Sequence, residues 1–430
     1  MVRRWRAPAL ALGLVAVVVS AALVPAGEGR AASSPQDCFW TSVFDEKNGN
    51  LFFPDTAVNY YLGRLELPPG GELLVHGRFP HARYTSFNVY DEFGQPVDAL
   101  PDVGIHPDRR STNPFIAGHV RTRAMRSYTV RVVAGSGHHR RARNTVYLGR
   151  DGQRRFVGSL VYRVYLPDRG RNQFGGTGLP EVEVRLPDGT TVDQPAACSA
   201  PTNQPSTGVN EADRRSGGPA TPSWTTASDP LDWERFFNMP RATLRQFSEE
   251  AADAAGHDQR GGFFSDANNA YVYAMVARRF GNVLVLHGRM PDIPETHARE
   301  QIFEAAPLRY WSMCNGSVLP TGVTDTVGCV HDEQVPRGPR GRFTIAVSTS
   351  EHRPANARRA CGVAWMPWGV RPNAVMIMRN QLPSPGLDRA IQNVRRPGTE
   401  RKVLGPFLPH SDYMTTRSFE QRGCPAVRRD

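Results

Sequence analysis

Two triplets in this chain place a histidine and an arginine around a glycine. His76-Gly77-Arg78 and His287-Gly288-Arg289 each follow a short apolar run. An arginine at a strand end can hold a carboxylate or phosphate through two parallel hydrogen bonds. A histidine can donate, accept or ligate a metal near neutral pH. The triplets therefore supply four ligand-binding candidates: His76, Arg78, His287 and Arg289.

The same triplets also have a structural interpretation. A glycine inside a strand marks a bulge or the close approach of another group. Each arginine can pair with a carboxylate such as Asp55 or Asp266, and each histidine can cap a carbonyl. Because both copies keep the set and two identical active sites are not required, this structural role is favoured over the functional one.

A second polar group lies on one predicted strand, ARYTSFNVYD, at residues 82–91. Alternation along a strand places every second side chain on the same face, here Tyr84, Ser86, Asn88 and Tyr90. On an open concave face, the rings would stack on a flat polar ligand such as a sugar, and the hydroxyl and amide groups would hydrogen-bond to it. The alternative is that these aromatic rings are buried in the core.

His106 and Asp108 form a third candidate group, which the second half echoes with His331 and Asp332. These residue types can serve as metal ligands or as an acid–base pair. Two ligands per loop are too few for a closed metal site unless His76 or His287 joins them. We therefore predict no metal site and no cofactor.

The known local signatures of catalysis are missing from the sequence. It contains no Gly-x-Ser-x-Gly elbow, no His-Glu-x-x-His helix, no phosphate-binding glycine loop and no dinucleotide fingerprint. A carboxylate pair for glycosidic cleavage has no local signature and stays open. The sequence leaves enzymatic activity uncertain and favours a protein without it.

The strands that must position these candidate residues belong to an internal sequence repeat. Residues 52–80 and 263–291 align without a gap, and 10 of the 29 positions are identical. Short alternating strands separated by Gly, Pro, Asn and Asp turns surround both copies, which is typical of a β-sandwich or barrel. We predict a mainly β protein with two tandem, related, jelly-roll-like β-sandwich domains.

The predicted domains are separated by a segment without apolar runs. The first domain covers 33–198, a Pro-, Gly-, Ser- and Thr-rich flexible linker covers 199–230, and the second domain covers 231–430. A helix-like pattern in 239–255 predicts one short helix at the start of the second domain. An unmatched insert at 292–307 predicts a short helix over one rim of that domain.

The first 32 residues have the form of a secretory signal peptide. Arg3, Arg4 and Arg6 precede an apolar stretch, and small residues follow it. The alternative is that the segment stays as a membrane anchor, for which its length is marginal. Beyond it no run is long and apolar enough to span a bilayer, so we predict a mature chain without a transmembrane span that is secreted, extracellular or associated with the cell wall.

All six cysteines lie beyond this leader. An even number of cysteines outside the reducing cytosol indicates disulfides, and no Cys-x-x-Cys spacing suggests zinc or a redox site. The preferred pairs are Cys38 with Cys198, Cys314 with Cys329 across a hairpin, and Cys361 with Cys424.

The formal net charge is +11, carried almost wholly by arginine. A basic exported protein should be attracted weakly to acidic wall polymers or anionic lipid surfaces. No recognition helix or module of interleaved aromatic and basic residues is present, so specific nucleic-acid binding is not predicted.

Three further segments resemble one group of proteins: residues 83–91 (RYTSFNVYD), 111–115 (STNPF) and 160–167 (LVYRVYLP). They are similar to exported bacterial tandem β-sandwich proteins of unknown function, of the actinobacterial secreted type. The resemblance covers about 50–170 and, less closely, 262–380. In the second copy, Cys314-Asn315-Gly316 replaces Asn88-Val89-Tyr90. The resemblance implies fold and export and brings no catalytic residues.

These observations together predict a secreted, disulfide-containing cell-envelope protein that binds a ligand, a carbohydrate or a wall polymer, without catalysis. The alternative is a secreted hydrolase or lyase that acts on a carbohydrate or envelope polymer. A third interpretation is a structural protein whose basic surface adheres to the wall.

Overall fold

The computed structural model describes residues 39–44, 50, 53–137, 141–149, 153, 155–194, 227–235, 250, 253, 264–318 and 324–424. All of them belong to one compact unit, residues 37–430. The predicted signal peptide and most of the predicted linker lie outside the described residues. The predicted helix at 239–255 also lies outside them, apart from Glu250 and Asp253, which are helical.

Two five-stranded sheets form the first half. Its strands are β1 Trp40–Phe44, β2 Val58–Leu67, β3 Glu72–Arg78, β4 Ala82–Asp91, β5 Pro96–Pro101, β6 Ser127–Ala134, β7 Thr145–Leu148, β8 Phe156–Pro167, β9 Glu181–Arg185 and β10 Thr191–Gln194. The first sheet has the order β1-β2-β8-β4-β5, and the second has the order β10-β9-β3-β6-β7.

The second half repeats this arrangement, with one strand fewer among its described residues. Its strands are β11 Glu234–Arg235, β12 Asn269–Ala277, β13 Val283–Arg289, β14 Leu308–Val318, β15 Thr324–His331, β16 Arg342–Ser348, β17 Ala364–Pro367, β18 Asn373–Pro383 and β19 His410–Met414. The sheet orders are β11-β12-β18-β14-β15 and β17-β16-β13-β19. Two short helices near the end are α1 Glu400–Leu404 and α2 Thr416–Glu420.

Strand by strand, the two halves have the same topology. In both halves, two strands pair antiparallel at the centre of the second sheet (β3 with β6, β13 with β16), and the next strand joins in parallel (β6 with β7, β16 with β17). The two His-Gly-Arg triplets lie at the ends of the equivalent strands β3 and β13. The prediction of a mainly β protein with two related sandwiches is confirmed.

Each sandwich closes around one apolar core, which the strand alternation creates. In β4, Phe87 and Val89 point into the first core, where they meet Tyr128 and Val130 of β6. In the second half, Trp311 of β14 lies in the equivalent core. Full burial of a side chain of this size stabilises the fold by about 1.5–3 kcal/mol. The other face of β4 and β14 is therefore left to contact something else.

The glycines of the triplets have a packing reason. Gly77 lies opposite Tyr128, and Gly288 lies opposite Phe343. A Cβ atom on Gly77 would lie 2.5 Å from the Tyr128 ring, so the ring crosses the strand where a side chain would stand. This supports the structural interpretation of the triplets, although the arginines do not pair with Asp55 or Asp266. The Arg78 Nη2 instead donates to the carbonyl of Ala124 over 2.8 Å.

Two of the three predicted disulfides are confirmed. Cys314 and Cys329 are bonded across the β14–β15 hairpin, where they are direct cross-strand neighbours, and Cys361 is bonded to Cys424. The predicted Cys38–Cys198 bond lies outside the described residues. Among the described helices, none has the length and apolar character needed to cross a membrane.

The insert in the second half reaches over to the first. It contains a short 3-10 helix, Thr296–Ala298, rather than an α-helix. Beyond it, Ile302 forms a β-bridge with Val120, and the Phe303 ring is buried in the core of the first sandwich. The insert thus fastens the second sandwich to the first along one rim.

Candidate functional site

The outer faces of the β1-β2-β8-β4-β5 and β11-β12-β18-β14-β15 sheets meet in a buried contact, which we call the seam. Equivalent arginines cross it in opposite directions. The Arg83 Nη1 donates to the Asp332 Oδ2 over 2.8 Å, and the Arg309 Nη1 donates to both Asp102 oxygens over 3.0 Å. Strand register makes Arg83 equivalent to Arg309 and Asp102 equivalent to Asp332. The seam therefore has an approximate two-fold symmetry, and the sequence echo that set Asp332 against Asp108 is wrong.

A second reciprocal pair strengthens this symmetry. Arg163 lies 3.3 Å from Asp266, and its equivalent, Arg379, lies 3.7 Å from Asp55. The same two guanidiniums also donate to the carbonyl oxygens of Phe264 and Phe53, respectively. Both phenylalanines have positive φ angles, 51° and 56°, which turns their carbonyls toward the arginines. Left-handed backbone is costly for such residues, so its occurrence in both copies ties this strain to the contact.

Burial dominates the electrostatics of the seam. It raises the pKa of Asp102 to about 6, and the nearby Arg309 only partly opposes this rise. Burial likewise raises the pKa of Asp332 against the opposing charge of Arg83. A buried charge without a partner is costly. The four arginines and four aspartates of the seam must therefore stay matched for the two sandwiches to remain in contact.

Tyr84, Ser86, Asn88 and Tyr90 share one face of β4, as the alternation predicts. That face is covered by the seam, and all four side chains are buried. The Tyr90 hydroxyl donates to the carbonyl of Ser265 over 2.9 Å and accepts from the Arg163 Nη2 over 2.8 Å. The four residues thus lie in the contact between the sandwiches and not on an open concave surface.

The triplet side chains lie on the outer faces of the other two sheets. His76 is exposed, with its Nδ1 3.2 Å from the Thr129 hydroxyl and its Nε2 4.0 Å from Glu183. His287 is half-buried and lies 3.8 Å from Asp412. Arg78 is exposed and Arg289 is half-buried. The ligand-binding role of these residues stays a prediction.

His106 and Asp108 are not gathered with the first triplet. His106 is exposed and lines a cavity of about 340 Å³ together with Val103, Ile105 and His119. None of His76, Arg78 and Asp108 lines that cavity. The cavity that His106 lines therefore does not collect the four side chains in one cleft.

A larger cavity, of about 860 Å³, opens at the rim of the seam, and we call it the rim pocket. It is built from the segment that follows β15, the 3-10 helix of the insert, the residue Arg169 beyond β8 and the residue Arg359 before β17. Its walls are mostly polar and charged: Arg169, Glu295, His297, Ala298, His331, Asp332, Glu333, Gln334, Val335, Arg337 and Arg359.

Two imidazoles from different elements meet in the rim pocket, with ring centres 5.9 Å apart. The His297 Nδ1 lies 2.7 Å from the carbonyl oxygen of Pro167, so Nδ1 carries a proton and donates it to that oxygen. His331 is only 6% exposed, and its Nδ1 has no hydrogen-bond partner among the described residues. Burial, assisted by the nearby Arg83, lowers the pKa of His331 to about 4, so this ring is neutral at pH 7.

Protein groups already occupy most carboxylates of the rim pocket. Glu333 accepts from Arg83 and from the backbone amides of His297 and Ala298, and Glu295 pairs with Arg337. Arg359 donates only to the carbonyls of Glu333 and Gln334. Within the part of the chain that the structure describes, neither Arg169 nor Arg359 forms an ion pair. The pocket therefore offers two arginines that form no ion pair among the described residues, beside three carboxylates, Glu295, Asp332 and Glu333.

The described residues contain one compact group of three potential metal ligands, Asp55, Cys314 and Cys329. The two sulfurs are joined in a disulfide. They hold no thiolate charge for a metal, so this group is not a metal site.

The residues of the rim pocket were mostly missed by sequence reasoning. His331 and Asp332 were noticed as an echo of the first half, but His297, Glu333 and Arg359 were not. His297 belongs to the unaligned insert, and Arg359 belongs to an irregular segment, so neither lies in a repeated pattern. The only available signal was the insert itself, because an extra segment beside a repeated strand often carries function.

Comparison with known proteins finds similarity in structure alone. No family model matches the chain, and no curated protein sequence matches it. The structure is similar to that of an uncharacterised protein from Burkholderia cenocepacia, with a TM-score of 0.46 and 12% identity over 89% of this chain and 84% of the other. It is also similar to a protein from Vibrio parahaemolyticus, with a TM-score of 0.37 and 11% identity over 80% of this chain and 88% of the other.

Proposed function

We propose that this chain is a secreted cell-envelope protein that binds an acidic carbohydrate or wall polymer in the rim pocket, without catalysis. The observation that carries the proposal is the pair of arginines, Arg169 and Arg359, which line a cavity of about 860 Å³ and have no carboxylate partner among the described residues. A carboxylate or phosphate can accept two hydrogen bonds from a guanidinium. Without the first 32 residues, which carry four arginines and one glutamate, the net charge is 11 − 4 + 1 = +8, and it adds long-range attraction for such a polymer.

The composition of the pocket also narrows the ligand class. Its lining contains no tryptophan, tyrosine or phenylalanine. Stacking on an aromatic ring is the usual means of holding a neutral sugar face, so charge and hydrogen bonding carry recognition here. The earlier candidate surface at Tyr84 is buried and does not contribute. The two disulfides and the resemblance to exported β-sandwich proteins support placement outside the cytosol.

The test is binding of three soluble polymers, poly(glycerol phosphate), polygalacturonate and dextran, measured by calorimetry. Wild type is expected to bind the acidic polymers and not dextran. Arg169→Glu is expected to weaken that binding at least tenfold, because it reverses a charge in the pocket. The matched control is Arg64→Glu, which makes the same charge change at an exposed position of β2 away from the pocket.

Two results would contradict the proposal. Absence of binding by wild type would remove the acidic ligand. An equal loss in Arg64→Glu and Arg169→Glu would show that the basic surface adheres without a pocket, which is the structural interpretation.

One observation favours the alternative, a hydrolase or lyase acting on the same polymer class. The neutral His331 ring and the His297 ring line the same cavity, and a neutral imidazole can act as a general base. Release of new chain ends from either acidic polymer by wild type, lost in His297→Gln, would establish catalysis. Unchanged polymer length after prolonged incubation supports binding alone.

A further inference from the structure

The second triplet lies opposite another histidine. His287 of β13 and His410 of β19 are direct cross-strand neighbours, and their rings stack with centres 5.6 Å apart and planes at 20°. Asp412 follows two residues after His410, so its side chain is on the same face of the sheet. The His287 Nδ1 is 3.8 Å from the Asp412 Oδ2. Two imidazoles and one carboxylate therefore lie together on one patch, with ligand atoms that are not all within the 4.8 Å of one another that defines the compact group at Asp55.

The carboxylate of this patch is incompletely satisfied. The Asp412 Oδ2 is buried and has no hydrogen-bond partner among the described residues. The basic side chains near it are those of His287 at 3.8 Å and Arg422 at 3.9 Å, both beyond hydrogen-bond distance. A buried carboxylate oxygen without a hydrogen bond is costly. A cation bound between it and the imidazoles would remove that cost.

From this convergence, we infer that His287, His410 and Asp412 bind a divalent transition-metal ion such as Zn²⁺. Imidazole nitrogen and carboxylate oxygen are its usual ligands, and three protein ligands leave one position for water or a further group. Binding requires the exposed His410 ring to turn toward the other two ligands, which its position at the surface permits. The patch lies on the outer face of the β17-β16-β13-β19 sheet and shares no residue with the rim pocket.

The first sandwich supplies an internal comparison. There, Glu181 stands opposite His76 where His410 stands opposite His287, and Glu183 occupies the position of Asp412. This set has one imidazole and two carboxylates, which suits Zn²⁺ less well than two imidazoles. The proposed site therefore belongs to the second sandwich alone, although the strand framework is the same in both.

The test is calorimetric titration of the full chain with Zn²⁺ at neutral pH. Wild type is expected to bind one ion at this site, and the melting temperature should rise when the ion is added, because a ligand that binds only the folded state stabilises it. His410→Glu, which copies the first sandwich, and His287→Gln should each lower the affinity at least tenfold. His76→Gln and the double variant His138→Gln/His139→Gln are matched controls that should leave this affinity unchanged.

Each outcome of the Zn²⁺ titration either supports or overturns the inference. Wild type that takes up no Zn²⁺ overturns the inference, as does affinity that survives both His410→Glu and His287→Gln. A loss produced by the His138→Gln/His139→Gln variant alone would assign the ion to another place and also overturn it. Binding of acidic polymers is expected to be unchanged in His410→Glu, because Arg169 and Arg359 remain.

Discussion

At the end of β5 the first sandwich has Pro101, Asp102 and Val103, where the second has His331, Asp332 and Glu333 after β15. The central aspartate is the same in both, and each is buried against an arginine of the other half. The residues on either side, which face solvent or a cavity, have diverged completely. The comparison teaches that the arginine–aspartate contacts are constrained from both halves, whereas the flanking residues differ even where one of them, Glu333, also pairs with Arg83.

A physical reason accounts for this difference. Replacing one member of a buried ion pair leaves its partner charged and desolvated, at a cost of about 3–5 kcal/mol. An exposed position carries no such penalty. The rim pocket in the second half and the more apolar cavity beside His106 in the first half lie at equivalent loops. The lining of the rim pocket thus carries aspartate, glutamate and arginine side chains, whereas that of the cavity beside His106 carries none of these.

The largest loss of stability is expected when the ion pairs that Arg83 forms across the seam are removed. Arg83→Met leaves Asp332 and Glu333 without their shared partner, and the free energy of unfolding should fall by about 3–5 kcal/mol. The equivalent Arg309→Met removes the partner of Asp102 alone and should cost less. Urea denaturation of both variants checks this order. A larger loss in Arg309→Met would contradict the assignment of two carboxylates to Arg83, and exposed Arg64→Met should be neutral.

His331 should make the free energy of unfolding depend on pH, whereas Pro101, which stands at the equivalent position of the first sandwich, cannot titrate. The pKa of His331 is about 4 in the folded chain and about 6.5 when unfolded. Between pH 6.5 and pH 4 the unfolded chain binds a proton at His331 that the folded chain does not bind. The stabilisation that the neutral ring contributes is therefore complete above pH 6.5 and is lost as the pH falls to about 4. The loss from this one group is about 3 kcal/mol.

His331→Gln is therefore expected to give a shallower decline in the free energy of unfolding between pH 6.5 and pH 4. Asp102, with a raised pKa of about 6, has the opposite sign, since its stabilisation is lost as the pH rises through that value. Both proteins keep Asp102, so the difference between their curves isolates His331. Parallel curves for wild type and variant would show that His331 is not neutral in the folded state.

The two tyrosines at the seam should respond differently to loss of their hydroxyls. The Tyr310 hydroxyl donates to the Asp55 Oδ2 over 3.0 Å, whereas no hydrogen bond joins the Tyr84 hydroxyl to the equivalent Asp266. Tyr310→Phe should cost about 1.5–3 kcal/mol, because the lost hydrogen bond has a charged acceptor. Tyr84→Phe should be neutral or stabilising. Equal losses from urea denaturation would show that the seam is more symmetric than the hydrogen bonds indicate.

Sequence patterns predicted those parts of the fold that depend on residues close together along the chain. The repeat around the triplets, the alternation in β4 and the Cys314–Cys329 pair across a hairpin were all predictable, because each follows from spacing along one or two strands. The pairing of Cys361 with Cys424 then followed from the even count.

The seam and the rim pocket were not predictable in this way. Alternation places Tyr84 and Ser86 on the outer face of β4, but only the packing of two whole sandwiches decides that this face is covered. Arg83 and Asp332 are separated by 249 residues. Their pairing depends on the orientation of one sandwich against the other, for which no residue pattern existed. His297 reaches the pocket through the insert, which has no counterpart in the first half.

The smallest expected effect concerns the glycines of the two triplets. A Cβ atom at position 77 would lie 2.5 Å from the buried Tyr128 ring, whereas one at position 288 would lie 3.4 Å from the Phe343 ring. Gly77→Ala should therefore force the ring or the strand to move and cost about 1–3 kcal/mol. Gly288→Ala meets only a tight contact, and the lower entropy of its unfolded chain offsets this by about 0.4–1 kcal/mol. Melting curves of the two variants measured side by side test this difference. An equal loss at both positions would mean that glycine is required by the backbone there, and not by the aromatic ring opposite.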